Sequence, residues 1–371
     1  MRSLISHFNH VIATYEGKVP LVHFLKNYFK LHPVLGSRDR KLISAMVYSW
    51  YRCSKAVGND DWLKGVMTEW LNEKIWTSKS FIEWLKEVHP EALLDLMALF
   101  PFDFVLSDGI AKTEWLGSML EQPELFIRIR KEKALLIQLL EKAGITYTFI
   151  TGNCLALPNG AKIDSILPED CYAVQDTSSQ QTGTYFRPRK NELWYDCCSG
   201  AGGKSLLLKD LEPGVRLTVS DKRESIIHNL QQRFRLYKHD LPVAHVTDAA
   251  SQALLDKALG TKKFDNIICD APCSGSGTWA RTPEQLYFFK SESLPEFASL
   301  QTNIAANVSR HLKPGGRLIY ITCSVFRWEN EMVVEAIANN SGLELISSQI
   351  INGIKNHADS MYLAEMISYQ H

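Results

Sequence analysis

From about residue 190 onward the chain repeats one pattern, a short apolar segment followed by a stretch long enough for a helix. The apolar segments read "LWYDC", "VRLTVSD", "PVAHVTD", "FDNIICDAP", "GGRLIYITCS" and "SMYLAEMI". Strands that are apolar throughout are buried on both faces, and helix-length spacers bring them together as parallel neighbours. The pattern therefore predicts an α/β fold with a doubly wound, mostly parallel sheet. Ligands of such sheets bind at the carboxyl ends of the strands. Asp196, Asp221, Asp248, Asp270 and Cys323 all fall there.

The preceding chain has a different texture. Residues 1–120 read as helical: in "SRDRKLISAMVYSWYRC", Leu42, Ala45, Met46, Ser49, Trp50 and Cys53 recur at three- and four-residue spacing, with Ser37 or Asp39 as a cap. "KSFIEWLKEVHPEALLDLMALF" and "GIAKTEWLGSML" predict further short amphipathic helices. Residues 121–180 predict a small α/β module, with an alternating strand "ELFIRIR", a helix "KEKALLIQLLEKAGI" and a second strand "TYTFI". Alternation puts Phe126, Arg128 and Arg130 on one face. Arg128 and Arg130, with Arg187 and Arg189 of "FRPRK", are candidate phosphate contacts. Residues 181–371 hold the repeating pattern.

Lys+Arg and Asp+Glu balance at 41 each, so any nucleic-acid partner must be met by a local basic surface. The first residues lack the continuous apolar core of an export signal. "ALLDLMALFPFDFVL" is broken by Asp95, Pro101 and Asp103, so no membrane span is expected and a cytoplasmic location is. The eight cysteines include no CxxC pair, which predicts reduced thiols and no metal site. Cys53, Cys154, Cys171, Cys197 and Cys269 read as packing residues.

The loop "CSGAGGKS" ends like a phosphate loop, but the required first glycine would be residue 198, which is cysteine. A phosphate-binding NTPase is thereby disfavoured. Asp221, about twenty residues beyond this loop, stands where an acceptor meets a ribose diol. Asp248 is placed to accept from an adenine amine. A nucleoside without phosphates suits the loop better.

Asp270 and Cys273 share the loop "CDAPCSGSGTWARTPE", and Cys323 ends the neighbouring strand. A thiolate there is a nucleophile, and a partly exposed cysteine among helix N-termini is expected to have a lowered pKa. Cytosine C5 becomes nucleophilic only after a thiolate adds at C6; a carboxyl near N3 stabilises the charge that develops, and a base then removes the C5 proton. Spacing alone does not choose which of the two thiols attacks.

"DCCSGAGGKS", "DAPCSGSGTWARTPE" and "TCSVFRWENEMVV" resemble three signature motifs of the Sun/NOP family of RNA 5-cytosine methyltransferases. "VQDTSSQ", "PELFIRIRKEK" and "ADSMYLAEM" extend the resemblance over roughly residues 105–371, and "SRDRKLISAMVYSWYRC" is similar to part of a NusB-like helical domain. The resemblance implies a Rossmann-like methyltransferase domain that uses S-adenosylmethionine and no metal. It implies Cys323 as nucleophile, Cys273 in product release, Asp270 at the cytosine and the methyl donor, and Lys204 in ordering the site. Cys198, Ser199, Gly200, Ala201, Gly202, Gly203, Lys204, Asp221, Asp248 and Asp270 are implied as the donor site. RNA is the implied partner, ribosomal before transfer RNA, with Arg281 as a further phosphate contact and the protein a monomer. Ala201 departs from the family's usual proline, Ala280 from the first of a usual arginine pair and Arg130 from a common asparagine. A non-catalytic RNA-binding assembly factor would keep the fold but lose a chemical residue, and Lys204, Asp270, Cys273 and Cys323 are all present.

Overall fold

The computed structural model describes residues 2–73, 80–90 and 94–369, which form two compact units. The first comprises Met1–Asp103, Ala111–Gln122 and Thr278–Ser291. Its helices include Arg2–Thr14, Leu21–Leu31, Ser37–Val57, Asp60–Glu73, Phe81–Val88 and Lys112–Met119. Parts of the segments read as helical, at 74–79 and 91–93, lie outside the described residues.

Ser37–Val57 buries Leu42, Met46, Trp50 and Cys53, as its period predicts. Asp39 sets its start, accepting the Gly36 N–H at 3.3 Å, while Ser37 lies inside the helix. The same helix also buries Arg52, whose guanidinium donates to the carbonyl oxygens of Met119, Glu121 and Ala280 at 2.8, 2.7 and 2.7 Å. One side chain thus ties the segments 111–122 and 278–291 to the helix. Glu284 repeats the theme by accepting from Leu21 N–H at 3.2 Å.

The second unit comprises Phe104–Ile110, Pro123–Gly277 and Glu292–His371, and it contains two sheets. Strands β1 (Leu125–Ile129), β2 (Thr148–Thr151), β3 (Cys154–Leu157) and β4 (Tyr172–Val174) pair antiparallel in the order β2-β3-β1-β4. β3 and β4 are additions to the two strands that alternation predicts. β1 is an inner strand covered on both faces. Ile127 and Ile129 pack with Leu136 and Leu140, and Phe126 packs with Ala358.

That burial corrects the reading of Arg128 and Arg130 as phosphate contacts. Both guanidiniums are buried and converge on Asp210, at 2.6 and 2.7 Å, and Arg130 lies 4.1 Å from the centre of the Tyr237 ring. Arg128 Nε also donates to Gln175, at 2.9 Å.

The larger sheet has seven strands: β5 (Leu193–Asp196), β6 (Arg216–Asp221), β7 (Val243–Val246), β8 (Phe264–Asp270), β9 (Leu312–Thr322), β10 (Leu343–Ile351) and β11 (Met361–Ser368). Their order is β10-β11-β9-β8-β5-β6-β7. β5 to β9 pair parallel, and β11 runs antiparallel to both β9 and β10. Successive residues enter two separate apolar cores: Tyr195, Ile267, Leu318 and Tyr320 one, Trp194, Ile268, Ile319 and Ile321 the other. This is why the strands read as continuous apolar runs. β10 was not anticipated, because it is an edge strand that exposes Glu344, Ser348 and Gln349.

Candidate active site at the carboxyl edge of the sheet

Parallel pairing brings one end of β5, β6, β7, β8 and β9 to a common edge. Asp196, Asp221 and Asp270 are the last residues of their strands; Asp248 and Cys323 follow theirs by two and one.

The glycine loop joins β5 to the helix Gly203–Leu211. Ser199 fastens it to β6, donating to the Ser220 carbonyl from its N–H at 2.9 Å and from Oγ at 3.1 Å. Gly202 has φ +85, and a Cβ there would meet Leu230 at 3.0 Å, so both the turn and the packing require glycine. Lys204 is buried on the first helical turn, and its Nζ reaches Asp270 Oδ2 at 3.0 Å. Asp196 is buried beneath the loop and accepts from Ser205 Oγ at 2.6 Å; burial pushes its pKa up to about 7.

A cavity of about 210 Å³ opens beside the loop, lined by Cys198, Asp221, Thr247, Asp248, Leu300 and Ile304 among others. Arg223 holds Asp221 through its N–H and Nε at 2.9 Å each and through Nη2 at 3.0 Å. Burial alone would raise the Asp221 carboxyl, but these bonds pull it below its usual range. Asp248 Oδ1 accepts from the Ala250 N–H at 2.9 Å. Thr247 Oγ1 and Asp196 Oδ1 are buried with no hydrogen-bond partner among the described residues. Two carboxylates and an unmatched hydroxyl, facing an apolar wall from Leu300 and Ile304, fit the diol, amine and ring of a nucleoside, and S-adenosylmethionine carries all three. Arg223, Thr247, Leu300 and Ile304 escaped sequence reading. The two apolar residues come from the helix Ser293–Ser309, where nothing distinguishes them from core positions.

The two cysteines meet as expected: Cys273 Sγ and Cys323 Sγ are 3.3 Å apart, both half-buried and both free. The expectation of a lowered thiol pKa is wrong for Cys273. Its hydrogen bond with the Cys323 sulfur, then burial, push the thiol well above its usual range. The shift keeps the proton on Cys273.

The remaining basic candidates lie elsewhere. Arg187, which pairs with Glu365, and the exposed Arg189 line a cleft with Lys313 and Arg317 at the opposite edge of the sheet. Arg317 precedes Cys323 by six strand residues, about 20 Å at the rise of a strand. Arg281 belongs to the helical unit.

The strand order, the antiparallel β11 between β9 and β10, and a glycine loop with acids at the carboxyl edge define a Rossmann-like methyltransferase domain. A family model described as 16S rRNA methyltransferase RsmB/F matches residues 183–367, and through that stretch the chain belongs to the RsmB/F family, within the Sun/NOP RNA cytosine-5 methyltransferases. The chain is similar to ribosomal RNA small subunit methyltransferase B of Shewanella oneidensis, with 32% identity covering 58% of this chain and 52% of that one. The Vibrio cholerae protein of the same name is 29% identical over 63% of this chain and 55% of its own. The chain thus spans about half the length of these curated relatives. Among solved structures, PH0851 is 18% identical with TM-score 0.72, covering 98% of this chain and 97% of that one. NSun6 from Pyrococcus horikoshii with SFG is 15% identical with TM-score 0.61, covering 78% and 98%. At these identities the structural likeness speaks for the fold.

Proposed function

We propose that this chain transfers a methyl group from S-adenosylmethionine to C5 of a cytosine in small-subunit ribosomal RNA, acting as a cytoplasmic monomer. The observation that carries the reading is the pair of free sulfurs 3.3 Å apart, on the same strand edge as the Lys204–Asp270 pair and the nucleoside-shaped cavity. Family membership and the names of the relatives support the RNA class and the donor. No helix among the described residues is long and apolar enough to cross a membrane.

In this reading Asp221 takes the ribose diol, Asp248 the adenine amine, and Leu300 and Ile304 the ring. Cys198 to Lys204 wrap the amino-acid end. Bound there, S-adenosylmethionine supplies an electrophilic methyl group. The Cys323 thiolate adds to cytosine C6 while the Asp270–Lys204 pair offers an acceptor and a cation to the charge spreading over the ring. Once Cys323 is bonded to carbon its sulfur no longer carries charge. Cys273 then releases its own proton to water, takes the proton from the methylated C5, and so lets the Cys323–C6 bond break and return the thiolate. A cytosine must leave its stack to reach these groups, which a loop or single strand of RNA allows most readily. Arg187, Arg189 and Arg281 serve as phosphate contacts.

Calorimetric titration tests the donor site directly. S-adenosylmethionine is expected to bind and ATP not to; ATP binding without S-adenosylmethionine binding would overturn the assignment.

A further inference from the structure

Glu329 is fully buried, six residues beyond Cys323. Its carboxylate accepts from the Ser274 N–H at 2.7 Å, from Gln301 Nε2 at 3.0 Å, and from the hydroxyls of Ser274 and Ser324. Ser274 follows Cys273 and Ser324 follows Cys323, so a single carboxylate grips the residue next to each sulfur. Gln301 extends the grip by donating also to the Pro272 carbonyl at 2.9 Å. The backbone of Glu329 is itself fixed, with Tyr320 Oη donating to its carbonyl at 2.6 Å and its own N–H donating to the Phe326 carbonyl at 3.0 Å.

Each of these contacts on the carboxylate is a donor, the arrangement an anion takes. A buried anion is expensive, and packing alone would not call for one between two loops. Its field does something packing cannot: it disfavours a second negative charge nearby. The groups facing Cys273 are Cys323 and Glu329 from the loop after β9 and Tyr320 from β9 itself. Asp270 and Lys204, on the same edge, neutralise each other at 3.0 Å.

We propose that Glu329 is a positioning residue for the cysteine pair, holding the two loops in register and disfavouring a negative charge on Cys273. The Cys273 thiol is pushed up by the Cys323 sulfur and burial first and by the Glu329 charge after them, which agrees with the geometry. The purpose of this arrangement rests on the methyltransferase reading; its chemistry does not.

The test uses the whole chain without RNA. Each cysteine's alkylation by iodoacetamide is followed by mass spectrometry from pH 6 to 10, about the range over which thiols titrate. The wild type is expected to alkylate at Cys323 before Cys273. Glu329→Gln is expected to lower the Cys323-to-Cys273 ratio at fixed pH by about tenfold, the factor that one pKa unit makes. Glu329→Asp, which keeps the charge, should retain most of the preference. Ser274→Ala, which leaves the carboxylate in place but removes one of its ties, should lower the ratio in the same direction by a smaller factor, and it decides the matter if Glu329→Gln does not fold. An unchanged ratio in folded Glu329→Gln, or in Ser274→Ala where Glu329→Gln does not fold, overturns the proposal. Methyl transfer to 16S ribosomal RNA is assayed in parallel. A shifted ratio in a protein that methylates no RNA would sink the enzymatic reading and leave the role of Glu329 standing.

Discussion

The sulfur of Cys273 touches the sulfur of Cys323, 3.3 Å away, with no disulfide between them. The contact brings together two thiols that the sequence alone leaves equivalent. Cys273, whose pKa is raised, keeps its proton, and in the proposed mechanism Cys323 attacks. Cys323→Ala is therefore expected to lower methyl transfer by about a thousandfold or more, the scale of losing a nucleophile, with donor binding unchanged. Cys273→Ala is expected to trap a covalent protein–RNA adduct, visible as a shifted band on a denaturing gel. Adduct formation by Cys323→Ala would reverse the assignment.

Gly277 is a point of close backbone approach beside this pair. Its N–H donates to the Cys323 carbonyl at 2.9 Å, and a Cβ there would lie 2.0 Å from the Ser360 carbonyl oxygen and 3.0 Å from that of Cys323. No rotamer relieves a clash with backbone. Gly277→Ala should cost about 1–3 kcal/mol of stability, the range for overpacking, and should lower methyl transfer while donor affinity holds. Urea denaturation and calorimetry on the same variant separate the two effects.

Asp221 is already preorganised as an acceptor by Arg223. Removing it takes away the charge-assisted hydrogen bonds proposed for the ribose and leaves the Arg223 side chain, more than half exposed, to solvent. Asp221→Ala should weaken S-adenosylmethionine binding by about 2 kcal/mol, roughly thirtyfold in Kd, with little change in Tm. An unchanged Kd would move the diol site elsewhere.

Asp210 carries the buried charge of two arginines. Burial opposes its ionisation, but hydrogen bonds from His239 and Arg130 and the charges of Arg128 and Arg130 hold its carboxyl far below the usual range. A folded pKa below the unfolded one gives stability that is present at neutral pH and lost as the pH falls through and below about 4. Asp210→Asn should destabilise the protein by about 3 kcal/mol at pH 7 and flatten the acid limb of its stability curve, because two guanidiniums remain buried without their counter-charge. Urea midpoints at pH 7 and at acid pH measure both.

The sheet was legible because its strands are buried on both faces, and the acids at their ends share one edge as their positions predict. The glycine loop, Asp270 and both cysteines followed from position in that frame. Arg128 and Arg130 misled because alternation reports which residues share a face, not whether a second layer covers it; the Asp210 that covers them is 80 residues or more away in sequence. Thr247, Leu300 and Ile304 carry no local signal, since a cavity wall and a core wall demand the same side chains. Glu329 lay within a recognised motif, but only the fold shows that it grips the neighbours of both sulfurs.

The central claim is tested most directly by incubating the protein with labelled S-adenosylmethionine and 16S ribosomal RNA, digesting the RNA to nucleosides and identifying the labelled product by mass spectrometry. The account predicts 5-methylcytidine, formed by the wild type and absent with Cys323→Ala. Label on any other nucleoside or ring position, or 5-methylcytidine formed equally well by Cys323→Ala, would contradict it.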